Sequence, residues 1–499
     1  MPSMPLQNSH HHESVSDDPP AIPITDDAAT ADQPLTEIVE YPSAASNHLL
    51  SLPVGSALMW LALPVLGEQA LLMLVGLVDT FLAGTVGKEA TAAIGLASQV
   101  SWLAGLLFGF IGVGATALVA RHVGMGLVSK ANHFSNQALS AAVIMGALEF
   151  ALIYLLAPFL PRLLDWGPEP ARIVVQYLRI DSAGYILASI TVIAAACWRG
   201  GGDTRTPLYV MIVVNFVNIL VSAGLRFGWG GLPSLGVAGI AIGTLVARLI
   251  GGLIVIGLLL HGRSGIRFRA QDLRFRRESM RRILHVGIPA GLDGIFLWAG
   301  QFCFLIIISQ LATGDEQAAI LAAHFVGIRV ESLSYLPAFA WATGAATLVG
   351  QFLGAGDRLK ARRSGHLAAV QSAVLCMAMG VVYFLFAPQI YALFNASADL
   401  ERVTRIGVPA LRGLAFFQLP LALMIVYTNA LRGAGDTRYP LLYTLLGMVL
   451  VRLPLAYLCG VVWKGGLLGA WVGMFADMTV RAALTTVRFL RGKWEHIKI

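Results

Sequence analysis

Charge is scarce in this chain. Asp, Glu, Lys and Arg together make up 13% of its 499 residues, where soluble domains carry about 25%. Apolar residues reach 57% and the mean hydropathy is +0.72, which excludes an ordinary soluble fold. Cysteine is also rare. Cys197, Cys303, Cys376 and Cys459 are scattered through apolar stretches without CxxC or Cys/His spacing, so they read as small core residues and exclude a disulfide scaffold or thiolate metal centre. The alternation of a β-barrel is missing, and only helices or closed barrels cross a bilayer. No HxxxD-type, metal-ligand or nucleophile constellation stands at membrane depth, which argues against a membrane-embedded enzyme. No cofactor is expected.

What the chain has instead is a series of long apolar runs. Twelve are long enough to cross the hydrocarbon core as helices: 55–81, 93–121, 133–158, 170–198, 206–228, 236–261, 282–311, 318–353, 364–388, 404–431, 439–461 and 466–490. Several exceed a minimal span, so tilt or extension beyond the bilayer is expected. The fold class is therefore an all-α polytopic membrane protein.

The formal net charge of +7 is distributed as a topology signal rather than as a nucleic-acid surface. Arg263, Arg267, Arg269, Arg274, Arg276, Arg277, Arg281 and Arg282 lie between the sixth and seventh runs. Arg358, Lys360, Arg362 and Arg363 follow the eighth, and Arg488, Arg491, Lys493 and Lys498 close the sequence. The positive-inside rule then makes the even-numbered loops and both termini cytoplasmic. Residues 1–48 are polar and acidic, with Asp17, Asp18, Asp26, Asp27 and Asp32 unmatched by any Lys or Arg. That composition predicts a disordered tail. His10–His12 within it is a short polar run, and the segment lacks the basic start and early apolar core of a secretory signal.

The chain also repeats itself. Arg199–Leu208 reads RGGGDTRTPL and Arg432–Leu441 reads RGAGDTRYPL, 233 residues apart. Pro64 matches Pro289 at an offset of 225, and Thr116–Val119 matches Ala346–Val349 at 230. Six helices per unit is an even number, so both units enter the membrane from the same side, as parallel repeats around a central cleft. The expected organisation is a disordered tail over 1–48, an N-lobe over 49–261, a basic linker over 262–282, a C-lobe over 283–490 and a basic tail over 491–499. The repeated motif reads as a loop. Its glycines end helices where the backbone must turn, Thr206-Pro207 offers a helix start, and Arg199, Arg205, Arg432 and Arg438 suit a cytoplasmic surface.

Ionisable groups at membrane depth are costly and are functional candidates by default. Asp79 leads, fifteen residues beyond Pro64. Its repeat partner is Phe304, and those of Asn215 and Asn218 are Met448 and Val451. The first half thus keeps polar groups where the second has apolar ones, and unshared polar residues suit ion coupling better than a shared scaffold role. Asn218 and Ser222 share a helix face with Asn215 one turn away, although an Asn pair can also serve only to hold helices together. Glu68 maps onto Asp293, and Glu68 with Asp79 would form a column of acids along one face of the first helix. A helix-packing role is the alternative. Glu331 beside Arg329 and Asp181 beside Arg179 are further candidate cavity acids, with local pairing as the alternative. Asp477 and Arg481 read as an i, i+4 ion pair.

These residues resemble the multidrug and toxic compound extrusion (MATE) family across roughly residues 53–490. The first run, LPVLGEQALLMLVGLVDTFLAG, looks like that family's Pro-containing first helix with its LVDT core. The stretch ESLSYLPAFAWATGAATLVGQFLGAGD is similar to the family's eighth helix, and the paired RGxGDTR loops fit as well. The resemblance implies two lobes around a cleft and efflux of organic cations or other amphipathic compounds against H⁺ or Na⁺. It matches Asp79 to the family's first-helix acid and Asn218 to an Asn of the fifth helix. Ser222 stands where some members carry Asn or Asp. Leu297 and Leu421 stand where one branch has acids, so the pattern leans to the DinF-like branch. The expected protein is a monomeric antiporter of a bacterial plasma membrane that engages small-molecule cargo and the bilayer, not nucleic acid. The rival from the same superfamily is a lipid-linked oligosaccharide flippase, which needs a more cationic cleft than these mainly acidic residues provide.

Overall fold

A computed structural model describes residues 49–231, 233–394, 400–497 and 499. The expected disordered tail over 1–48, including His10–His12, lies outside the described residues.

The chain is helical throughout the described residues. In order, α1 spans Val54–Val86, α2 Lys88–Gly124 and α3 Val128–Leu156. The fourth span, α4, has two segments, Pro168–Ser182 and Tyr185–Gly201, bent by 53°. Then come α5 (Arg205–Phe227), α6 (Val237–His261), α7 (Arg277–Ser309), α8 (Gly314–Gly354) and α9 (Arg358–Phe394). The tenth span, α10, joins Leu400–Phe416 to Gln418–Gly433 with a bend of 56°. Helices α11 (Arg438–Val462) and α12 (Gly466–Leu490) complete the set. Counting each bent pair as one crossing gives twelve spans in two six-helix lobes.

The sequence reading expects α4 and α10 to be continuous, and hydropathy does not record the bends. Gly184 sits at the first, and a Cβ there would press on the stem of Arg248 from α6. The bend and the arginine thus occupy adjoining space. In α11, π-helical turns over Leu446–Arg452 and Tyr457–Val462 widen the helix, and Arg452 closes the first of them.

Two apolar cores form, and they exchange their edges. Leu58, Leu61 and Val65 of α1 belong to the core of the second lobe, while Met280 and Ile283 of α7 belong to that of the first. Helix α7 packs on α2, and α1 packs on α8. Absent side chains permit the closest approaches. A Cβ on Gly114 would strike the Ile283 carbonyl, and one on Gly287 would strike that of Phe110. At the helix ends carrying the basic loops, Gly124 faces the carbonyl of Gln351 and Gly354 faces that of Arg121. These two contacts are repeat-related and draw α2 and α8 together across the lobe boundary.

The basic linker is docked. Helix α7 begins at Arg277, inside the stretch read as linker, because the arginines continue the helix beyond its apolar part. The remainder lies along α3. The Asn132 side chain accepts the Arg267 amide at 2.8 Å, Asn136 accepts that of Arg269 at 3.1 Å, and Gln137 accepts that of Arg276 at 2.8 Å. His133 bonds Asp272 and Ser279 at 3.0 and 2.9 Å. The final residues also return to the bundle. Trp494 is buried against Phe489, and Arg121 donates to the Ile497 carbonyl at 3.1 Å.

Candidate functional site

The repeated motif forms the loop its sequence describes. Gly202 and Gly435 adopt φ of 92° and 90°, a conformation open to glycine without steric cost. Asp203 accepts the backbone amides of Arg205 and Thr206, each at 3.0 Å, and so caps α5. The cap is therefore Asp203 rather than Thr206, whose hydroxyl donates to the same carboxylate at 2.6 Å. Arg205 does face outward, stacked 3.5 Å over Trp60.

The leading arginines of the two motifs do not lie on the surface. Arg199 reaches into the bundle and donates through Nη1 to both oxygens of Glu68, at 2.8 and 3.1 Å. Arg432 pairs with Asp293 at the equivalent place, but through Nη2 to one carboxylate oxygen, leaving the other unpartnered among the described residues. Each lobe thus ties the carboxylate four residues beyond its helix proline to the arginine that opens its motif. Glu68 and Asp79 are both buried, but Glu68 carries a counter-ion. These pairs border a cavity of about 260 Å³ between the lobes, lined by Phe108, Thr116, Arg199, Thr343, Asn429 and Arg432 among others. On the motif side, Thr347 donates to the Arg199 carbonyl and Gln351 to that of Gly200, both at 2.9 Å. Helix α8 thereby seals against the first motif.

Asp79 is set apart from this cavity, within the first lobe. It is 8% exposed, and its Oδ1 has no hydrogen-bond partner among the described residues. Its polar neighbours are Asn218 of α5 and Thr244 of α6, with Asp181 and Arg248 in electrostatic range. Asn218 donates to the Thr244 hydroxyl at 3.2 Å, leaving its own carbonyl oxygen unpartnered. The side chain of Asn215 donates to the Met211 carbonyl at 2.9 Å, and its oxygen is also unpartnered. Ser222 donates to the Ile240 carbonyl at 3.4 Å, holding α5 against α6. Tyr177 completes the surroundings from α4.

Asp181 does not pair with its neighbour Arg179. Arg248 donates to its carboxylate at 2.7 Å and to its backbone carbonyl at 3.1 Å, and Ser101 donates to its other oxygen at 3.2 Å. Arg179 stacks on Tyr154, and its repeat partner Arg412 stacks on Phe384. The Asp181–Arg248 pair is neutral, so Asp79 is the uncompensated charge of this cluster. A buried carboxylate without a counter-ion is costly, and the buried, unpartnered oxygen of Asn218 beside it suits a bound proton or cation rather than a second acid.

The second lobe answers with a closed cluster. Thr244 and Arg248 correspond at offset 233 to Asp477 and Arg481. Arg481 grips Asp477 at 2.8 and 2.9 Å, and Arg452 adds a bond at 3.0 Å while reaching Gln301 at 2.9 Å. Phe304, where the repeat would place a second Asp79, lies beneath the Arg452 guanidinium at 5.8 Å. Glu331 does not pair with Arg329. It is buried in the field of Arg452 and Arg481. Two acids and two arginines balance there.

Sequence reasoning passed over Thr244, Arg248, Arg452 and Glu149. Arg248 and Arg452 were visible as lone charges in apolar runs. Thr244 was not, since a threonine in a membrane helix usually bonds its own backbone, as Thr244 also does to Ile240 at 3.2 Å. Glu149 of α3 is 1% exposed with both carboxylate oxygens unpartnered among the described residues.

Comparison with known proteins agrees with this architecture. The MatE family profile matches residues 64–223 and 289–458, one block in each lobe. A probable multidrug resistance protein NorM of Thermotoga maritima is 31% identical over 89% of this chain and 93% of its own length. An FAD transporter of Shewanella oneidensis is 27% identical over 83% of this chain and 89% of its own. Among solved structures, a MOP superfamily transporter from Pyrococcus furiosus Vc1, described as having a binding pocket of reverse polarity, superposes with a TM-score of 0.84 at 22% identity. It covers 90% of this chain and 98% of its own. An outward-facing multidrug resistance MATE transporter gives 0.82 at 22% identity, covering 89% and 98%. With one profile block in each six-helix lobe and a relative matched nearly end to end, the chain belongs to the MatE family of multidrug efflux transporters.

Proposed function

We propose that this transporter exports organic cations or other amphipathic compounds in exchange for H⁺, or for Na⁺ at the same oxygens, by alternating access. The observation that carries the reading is the unpaired carboxylate of Asp79 beside Asn218 and Thr244, next to an Asp181–Arg248 pair that is already neutral. A proton or cation arriving there removes an unpaired buried charge and lets α1 repack about Pro64. Cargo in the cleft and the coupling ion at Asp79 are then linked through the repacking of α1, and the lobes rock about the cleft. Ser222 holds α5 against α6 beside the site, and Asn215, one turn from Asn218, contributes its unpartnered oxygen to the coupling set. The basic loops support a cytoplasmic side for the sealed α2–α8 crossing, with both termini on that side of a bacterial plasma membrane and a monomer as the working unit. The crossing between Gly124 and Gly354 supports an outward-facing state.

Glu68, Asp293 and Asp181 are counter-ions within this scheme, and Glu331 sits in a balanced cluster. Cleft arginines already paired with acids also favour cationic or neutral cargo over the pyrophosphate of a lipid-linked oligosaccharide. A second reading, export of an anionic flavin nucleotide, has one support, the Shewanella relative described as an FAD transporter. Proteoliposomes with an imposed ΔpH or ΔpNa separate these outcomes. Ethidium movement driven by ΔpH alone assigns H⁺, and movement driven by ΔpNa alone assigns Na⁺. Movement of FAD but not ethidium would replace the cationic reading.

A further inference from the structure

The two motif loops differ in what their second arginine meets. In the first lobe Arg205 lies flat on Trp60 at 3.5 Å. In the second lobe the corresponding Arg438 meets His285, with Nη2 3.4 Å from its ring nitrogen. His285 occupies the repeat position of Trp60 at offset 225, and Arg277 and Arg281 occupy those of Leu52 and Ser56. A stacked aromatic contact in one lobe has thus become an open basic site in the other.

That site is a cavity of about 470 Å³ along the first turns of α7. Arg277, Arg281 and His285 follow one another at intervals of four residues and line it, so their cationic or polar ends share one helix face. Met280, Leu284 and Ile288 line it at the same interval beside them. Ile288 and the linker residue Phe275 are 43% and 53% exposed. Neither Arg277 nor Arg281 forms an ion pair or hydrogen bond with any described residue. The cavity lining contains no acid, and the nearby Asp436 is already held by Arg488 at 2.8 Å. Glu278 is exposed on the same turn but does not line the cavity.

We infer that this cavity binds an anionic phospholipid, the phosphate between Arg277, Arg281 and His285 and an acyl chain along Met280, Leu284 and Ile288. The cationic row and the apolar row run side by side, the apolar row set three residues further into the hydrophobic span, an arrangement that suits the headgroup and the adjoining chain of a lipid at a membrane surface. Basic pockets at helix ends attract acidic headgroups in this way. The apolar stripe selects a lipid over a free phosphate ester. The proposal does not depend on the coupling site, which lies in the other lobe.

Native mass spectrometry of the full chain in detergent tests it, with dioleoyl phosphatidylglycerol, dioleoyl phosphatidylcholine and glycerol 3-phosphate as probes. Retained phosphatidylglycerol, no comparable phosphatidylcholine and no displacement by glycerol 3-phosphate is the expected pattern. R277Q/R281Q/H285Q should lower the retained fraction by about tenfold or more, whereas R267Q/R269Q, which removes two linker charges outside the cavity, should leave it unchanged. H285W copies the Trp60 arrangement while keeping both arginines, and it should also lower retention. Equal retention of the two lipids, displacement by glycerol 3-phosphate, or unchanged retention in both cavity variants would overturn the proposal.

Discussion

Arg199 holds Glu68 through a single guanidinium nitrogen, 2.8 and 3.1 Å from the two carboxylate oxygens. Arg432 holds Asp293 at the equivalent place in the other lobe. The repeated motif thus pins each lobe's proline-bearing helix to the end of its bent fourth helix. The pair is mostly buried, and removing one member of a buried pair costs about 3–5 kcal/mol, whereas removing both costs far less. Glu68→Gln should therefore lower the thermal unfolding midpoint in detergent markedly. The Glu68→Gln/Arg199→Gln double variant should recover much of the loss. Additive losses would mean that the pair carries no coupling energy.

The α2–α8 crossing depends on two missing side chains. A Cβ on Gly124 or Gly354 meets a carbonyl oxygen of the facing helix, and such overpacking costs about 1–3 kcal/mol. Gly124→Ala should open the crossing. In a Cys303→Ser background, single cysteines are placed at the exposed Met125 and at Ala120, which is buried against Gly350 of α8. Maleimide should label Met125→Cys quickly and Ala120→Cys slowly, and Gly124→Ala should make Ala120→Cys reactive. Unchanged protection at position 120 would contradict the view that this contact seals the lobes.

Asp181 neutralises Arg248 beside the bend in α4. Asp181→Asn should leave Arg248 free to engage Asp79, which would fill the ion site with a fixed counter-ion. Ion-driven transport should then fall by about tenfold or more, since even a modest charge interaction at this depth is worth at least 1.4 kcal/mol. Removing both charges with Asp181→Asn/Arg248→Gln should restore part of the transport. Equal loss in the single and double variants would assign the pair a purely structural role.

Much of this was legible in the chain. The twelve spans follow from hydropathy, and the loop geometry of RGxGDTR follows from its glycines and its Asp-Thr pair. The failures share a physical cause. A single sequence records that a residue is apolar or charged, but not which distant helix it faces. Glu68 and Asp79 read as a column of acids because helical spacing puts them on one face, yet Arg199, 131 residues away, removes one from the column. Local pairing, the alternative to a cavity role for Asp181 and Glu331, does not occur with the adjacent Arg179 and Arg329: Asp181 meets Arg248, and Glu331 faces Arg452 and Arg481. The exchange of α1 and α7 between the cores was hidden for the same reason. Of the residues at the break in the repeat, Asp79 and Asn218 come together around Thr244, while the Asn215 side chain bonds its own helix at Met211. The repeat also maps Thr244 and Arg248 onto Asp477 and Arg481.

Asn218 shares the surroundings of Asp79 without carrying charge. Asn218→Ala should weaken ion-driven transport by about tenfold, because it removes a polar neighbour of Asp79, and polar contacts to a charged group are worth about 1.5–3 kcal/mol. Its thermal midpoint should change little in comparison with Glu68→Gln. A large stability loss with intact coupling would make Asn218 a packing residue.

The coupling role of Asp79 is the central claim, and one assay isolates it. Reconstituted wild type and Asp79→Asn are compared for ethidium exchange at equilibrium and for uphill ethidium accumulation under an imposed ion gradient, ΔpH or ΔpNa. Asp79→Asn should keep exchange, because the cleft and its walls are untouched, and should lose accumulation. Accumulation by Asp79→Asn at the wild-type level would contradict the account.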